Sequence, residues 1–242
     1  MLPQHHDIIR QLEREILPLQ GYKAHKDAGL KIGFSPIERA FPNGAFPAGA
    51  IHDFNTLTAE ETAATTGFVA GLLSKLMHQG SPCVWVGEGK VFPPALAFFK
   101  VKPEQVIFIE AKQPKHALWV VEEALKCETI AAVVGELKDL DLNQSRRLQL
   151  AVEQSRVTGL LIRPKQSRVQ NIASVSRWNI SPLPSISSEG MPGLGFARWN
   201  VELLKVRNGK PGSWQIEWGP TGFRTIPASV IGLPQHHISN TG

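Results

Sequence analysis

Apolar positions along the chain repeat with two periods, and the places where the period switches mark out its elements. Residues 7–17 (DIIRQLEREIL) set Ile8, Ile9, Leu12, Ile16 and Leu17 on one stripe, the spacing of an amphipathic helix. Pro18 and Gly21 end it. Its apolar stripe suits either its own domain or a neighbouring molecule. Residues 22–38 have weak periodicity and read as a connector. From Ala45 onward the pattern is regular. Short apolar runs at 50–54, 82–87, 105–110, 130–135 and 159–163 read as buried strands. Between them, 59–79, 94–99, 114–126 and 143–156 read as helices, one capped near Thr58 and another opened by Pro114. Strands alternating with helices imply a parallel sheet with right-handed crossovers.

After Val169 the style changes. Residues 173–180 (ASVSRWNI) alternate as a strand, and the Ser- and Pro-rich stretch 181–192 reads as a loop. Residues 199–207 and 213–218 then form two strands around the turn NGKPG, an antiparallel hairpin added to the parallel sheet. The expected division is an N-terminal helix and connector over 1–44, an α/β core with its hairpin over 45–222, and a tail over 223–242.

Composition changes this picture little. Hydrophobic residues make up 42% and charged residues 19% of 242, as in a packed globular protein. A net charge of +5 permits nucleic acid as a partner without requiring it. Cys83 and Cys127 sit in apolar surroundings without metal spacing and suit a reduced compartment. The pairs His5-His6 and His236-His237 read as tail residues rather than metal ligands. No secretion-signal core and no apolar run of about 20 residues is present, so a cytoplasmic protein off the membrane is expected.

The junction FNTLTAEETAATTGF, residues 54–68, lies where many nucleotide-binding proteins hold phosphate. A P-loop needs glycines to curl backbone N–H groups around phosphate, a lysine to neutralise it and a hydroxyl to hold Mg²⁺. Between Asn55 and Gly67 there is no Lys or Arg. Glu60 and Glu61 stand where the anion would sit, suiting the helix dipole and repelling a triphosphate. Thr58, Thr65 and Thr66 offer hydroxyls without charge. A capped helix start is the simpler reading, and no cofactor is expected.

The order from FPAGAIHDF through PCVWVGEGK to IAAVVGEL resembles the core of RecA-like recombinases. GAIHDF, ATTGF, ALWVVEEAL, VVGEL, LDLNQSRRLQLAVE, SRWNI and above all RWNVELLKVRNGKPGSWQIEW resemble one branch, the ImuA family of bacterial mutagenic DNA repair, from about Ala45 to Trp218. The resemblance implies an α/β fold with a RecA-like, mostly parallel sheet flanked by helices. It implies a nucleotide site that has lost its lysine near Ala64 and Thr65. Glu88 would stand near the place of the water-activating acid, and Glu136 near that of the Mg²⁺-linked one. Phosphoryl transfer needs all its parts together, so an enzyme is not expected.

In RecA-like proteins the loop after the strand GLLIR helps hold single-stranded DNA. Here Arg163, Lys165 and Arg168 lie in that loop, with Arg146, Arg147, Arg156 and Arg177 nearby in sequence. Such a basic face suits weak, salt-sensitive phosphate contact, an acidic protein partner, or water alone. The loop has no aromatic residue for base stacking. Trp178, Trp199, Trp214 and Trp218 serve as core, or, where exposed, as binding anchors. Ile8, Leu12 and Ile16, with Trp214 and Trp218, are the candidate partner-binding residues. The resemblance implies an accessory protein of error-prone translesion synthesis beside an ImuB-type Y-family polymerase homologue, with RecA as a further candidate partner. Two alternatives stay open: a SulA-like cell-division inhibitor and a residual nucleotide-binding ATPase.

Overall fold

The computed structural model describes residues 30–77, 80–88, 91–164, 171–185 and 195–226. In chain order the elements are α1 (Ser35–Glu38), β1 (Ile51–Thr56), α2 (Ala59–Leu76), β2 (Cys83–Gly87), α3 (Pro93–Leu96), β3 (Val106–Glu110), α4 (Pro114–Leu125), β4 (Ala132–Glu136), α5 (Leu142–Ser155) and β5 (Thr158–Pro164). β6 (Ser176–Leu183), β7 (Arg198–Val206), β8 (Gly212–Gly219) and β9 (Gly222–Thr225) follow. All nine strands join one sheet in the order β3-β2-β4-β5-β1-β6-β7-β8-β9. Pairing is parallel from β3 across to β6 and antiparallel from β6 to β9.

Local chemistry explains where the helices begin. Thr58 accepts a hydrogen bond from the Glu61 N–H, Glu60 and Glu61 fill the first turn of α2, and Lys75 lies in its last. Asp141 and Gln144 form a reciprocal capping box on α5. Proline opens α4. The helix expected over 94–99 is two pieces: α3, then a 3-10 turn over Ala97–Phe99 that ends where Lys100 takes φ 62°.

The sheet buries both faces. Phe54, Trp85, Val134 and Trp178 face α2 and join Phe68, Leu72, Trp199 and Trp218 in one core. Ile51, Val84, Val133 and Leu161 face α4 and α5 in the other. Each large apolar side chain so buried contributes about 1.5–3 kcal/mol. Gly71 is what lets α2 lie against the antiparallel strands: a Cβ there would sit 2.6 Å from Phe223 and 3.0 Å from Trp218.

Three expectations are corrected. The described part of the connector belongs to the main core: Ile32, Phe34, Ile37 and Phe41 are buried with Trp178, and Lys210 N–H donates to the Ala40 carbonyl. Phe223–Thr225, assigned to the tail, lie in β9, with Phe223 packed edge-on to Trp218 at 4.9 Å. β6 runs on through Pro182 to Leu183, into the expected loop. Beyond Asn179 it no longer pairs with β1, and a strand flanked on one side tolerates proline. The N-terminal amphipathic segment, with Ile8, Leu12 and Ile16, and residues 227–242 lie outside the described residues.

Candidate functional site

The turn between β1 and α2 is closed by the chain's own carboxylate. Leu57 N–H donates to Glu61 Oε2 at 2.6 Å, and Glu61 N–H donates to Thr58 Oγ1 at 3.2 Å. Thr62 Oγ1 bonds Thr56 Oγ1 at 3.0 Å and donates to the Thr58 carbonyl at 2.9 Å. One backbone donor of the turn is thus spent on an internal anion and a second on a hydroxyl. Hydrogen bonds from Thr58 and from its own N–H hold the Glu60 carboxyl below its ordinary range. Thr65 and Thr66 stand one to two turns into α2, not at its mouth. Thr65 is fully buried, and its hydroxyl makes no hydrogen bond among the described residues.

The two acids read from the sequence sit together at the ends of β2 and β4. Glu136 accepts from Trp85 Nε1 at 3.0 Å and lies over Gly87, where a Cβ would come within 2.6 Å of its carboxyl group. A side chain at 87 would push that carboxylate aside. Glu88 pairs with Lys138 from the loop after β4. β5 lies between β4 and β1, so Glu136 stands two strand spacings, roughly 10 Å, from the strand that leads into α2, and Glu88, at the end of β2, three, roughly 14 Å. Among the described residues no group of three or more His, Cys, Asp or Glu is placed to hold a metal ion.

A buried ion cluster on the α5 side of the sheet was not legible in the sequence. Asp53, fully buried on β1, accepts from Arg163 Nε at 2.8 Å and Nη2 at 3.0 Å, and from Arg177 Nε at 2.9 Å. Asn55 and Asn171 take further guanidinium bonds at 3.4 Å and 3.3 Å. Parallel register creates the cluster: Asp53 lies beside Arg177 on β6 and beside Leu161 on β5, two residues before Arg163. The one advance signal was an aspartate inside the apolar run AIHDF. Arg163, expected as a surface contact for DNA or an acidic partner, is therefore corrected to a buried, bidentate clamp that is 6% exposed.

The other basic candidates separate. Arg146 and Arg147 lie exposed on α5, and Arg147 pairs with Glu122 of α4 at 2.5 Å. Lys165 and Arg168 lie outside the described residues. Trp218, a candidate anchor, is core instead, 2% exposed with its indole N–H on the Phe98 carbonyl at 3.0 Å. Trp214 is half-buried against the same core.

His52 on β1 stacks on Phe46 at 4.2 Å. Its Nε2–H donates to the Pro47 carbonyl at 2.8 Å, and Nδ1 lies 2.7 Å from Ser176 Oγ. Burial pulls its pKa down to about 4. Burial also pushes the Cys83 thiol up to about 12, so it packs as a small inert residue. No helix among the described residues is long and apolar enough to cross a membrane.

A parallel core from β3 to β6, helices on both faces and a strand–turn–helix junction carrying threonines and carboxylates define a RecA-like α/β protein in which Glu61 closes the turn between β1 and α2. Comparison with known proteins agrees. The chain is 34% identical over 224 residues to Protein ImuA of Caulobacter vibrioides, in two strains of that organism, covering 87% of this chain and 92% of the relative. The chain belongs to the ImuA family. No protein-family model matches it.

Proposed function

We propose that this chain is a noncatalytic binding subunit of error-prone translesion DNA repair, working in the cytoplasm beside an ImuB-type Y-family polymerase homologue. Family membership supports a place in the mutagenic repair pathway. The noncatalytic role rests above all on one observation: the Glu61 carboxylate occupies the Leu57 N–H at the mouth of α2. A triphosphate arriving there would meet two carboxylates and no cation from the turn itself. A rigid sheet with helices on both faces then serves as a scaffold. RecA is a further candidate partner. Weak, salt-sensitive contact with single-stranded DNA is assigned to the exposed Arg146 and Arg147.

One observation favours residual nucleotide binding. Lys138 brings a cation to the strand ends beside Glu88. Two measurements on a single preparation test both readings. Titration calorimetry with ATP and Mg²⁺ is expected to show no stoichiometric binding; micromolar, one-to-one binding overturns the noncatalytic reading. Co-purification with the ImuB-type protein of the same organism is expected to retain the chain. A folded chain that washes away while the folded ImuB-type protein is retained removes the partner assignment.

A further inference from the structure

The turn that joins β7 to β8 is dense in one sign of charge. Residues 203–216 carry Lys205, Arg207 and Lys210 and no aspartate or glutamate. Packing adds a fourth cation. Lys210 N–H donates to the Ala40 carbonyl at 2.8 Å, and a Cβ on Gly209 would stand 2.2 Å from that oxygen. The turn is therefore pressed against the chain just after α1, beside Arg39. Arg39, Lys205 and Lys210 are exposed, and Arg207 is half-buried. Together the four equal all but one of the chain's net charge of +5.

Cations on other surfaces meet acids. Lys112 pairs with Glu110 at 3.1 Å, Lys126 with Glu123 at 2.7 Å, and Lys138 with Glu88. Arg39, Lys205 and Lys210 make no ion pair among the described residues. The carboxylates nearest them in the chain are engaged already. Glu38 is 4% exposed, accepts from Gly33 N–H at 3.0 Å and pairs with Lys31 at 3.6 Å. Glu202 accepts from Asn179 at 3.2 Å, and Glu217 lies between Arg198 and Arg224. Like charges gathered in this way repel one another, and an anion from outside relieves the repulsion.

We propose that this end of the sheet contacts the phosphate backbone of a nucleic acid. That such a backbone is met at all rests on the repair reading above; where it lands rests on the charge pattern. The surface fits phosphate better than an acidic protein, because protein interfaces are built round buried apolar anchors. Leu204 is the one exposed large apolar side chain among residues 195–226. Trp214 packs against the core, so the contact is made by charge rather than by base stacking. Contact of that kind is independent of base sequence and falls steeply with salt. It stands on other elements than Arg146 and Arg147 of α5. Arg207 N–H donates to the Val175 carbonyl and Val175 N–H to the Ile51 carbonyl, so the cations lie toward the start of β1, at the opposite end of the sheet from the α2 turn.

Fluorescence anisotropy of the full chain with a labelled DNA duplex, and with a labelled single strand, over a salt series tests this. Binding to both is expected, weakening as salt rises. Lys205→Glu with Lys210→Glu lowers affinity for both by at least about tenfold in about 0.1 M salt, and flattens the slope of log affinity against log salt by about two. Lys102→Glu with Lys115→Glu makes the same change in net charge at two exposed lysines elsewhere. It leaves affinity within about twofold in the same salt, because charges beyond a Debye length are screened. Unchanged circular dichroism and melting temperature establish that both double variants fold. Equal loss from both pairs, no loss from the first, or no binding to either DNA overturns the proposal. So does retention on polyglutamate without DNA binding, which gives the surface to an acidic protein. The co-purification described above reads the repair assignment separately, so either can fail while the other stands.

Discussion

Replacing Asp53 with alanine removes a carboxylate that Arg163 and Arg177 share in the middle of the sheet. Those arginines are 6% and 7% exposed, so neither reaches water easily once the carboxylate is gone. Three charge-assisted hydrogen bonds, at 2.8, 3.0 and 2.9 Å, disappear together. Breaking a buried ion pair from one side costs about 3–5 kcal/mol, because charge is left behind without compensation. For a chain of this length that is a fall in Tm of roughly 6–20 °C. Thermal and urea unfolding, followed by circular dichroism, measure it. Added salt rescues neither transition, since the cluster lies away from solvent ions. Asp53→Leu combined with Arg163→Met and Arg177→Met recovers most of the loss, because well-packed apolar side chains replace the whole cluster. An Asp53→Ala protein within about 0.5 kcal/mol of the unaltered chain would refute the reasoning, since a surface pair costs no more than that.

His52 is held near pKa 4 against an ordinary value of 6.5, so the folded chain binds fewer protons than the unfolded one between those values. Its contribution is intact above pH 6.5 and lost as pH falls toward 4, by about 3 kcal/mol in all; unfolding of His52→Gln as a function of pH shows a correspondingly shallower acid limb. Gly71→Ala drives a Cβ to 2.6 Å from Phe223 and 3.0 Å from Trp218, and the forced repacking costs about 1–3 kcal/mol, read from urea midpoints and tryptophan fluorescence. Glu61→Ala removes the anion from the Leu57 N–H and costs about 0.5–2 kcal/mol in the same assay. It does not create ATP binding in the calorimeter, because the turn still lacks a cation.

The alternating strands and helices of the core were legible because each element carries its own period. β1 to β5 appear within a residue or two of the apolar runs that announce them, and the hairpin of β7 and β8 surrounds the turn NGKPG as read. The less regular pieces were not. Ile32, Phe34, Phe41 and Phe46 reach the core from irregular backbone and Ile37 from a four-residue helix, where no repeat links one apolar residue to the next. β9 has four residues, too few to show a period. The exposed basic character of Arg146 and Arg147 was readable from the helix they share, whereas the burial of Arg163 was not.

What the sequence determined by itself was the chemistry of the α2 turn. A phosphate grip needs a lysine or arginine at that point in the chain, and a local absence is visible without coordinates. Only the tertiary structure decided that Glu61 closes the turn, and that Asp53 meets arginines 110 and 124 residues away. Periodicity reports which face a side chain takes; it carries no information about which strand lies next door. That neighbour is chosen by the crossover order of the whole sheet, and with it the fate of every charge buried between strands.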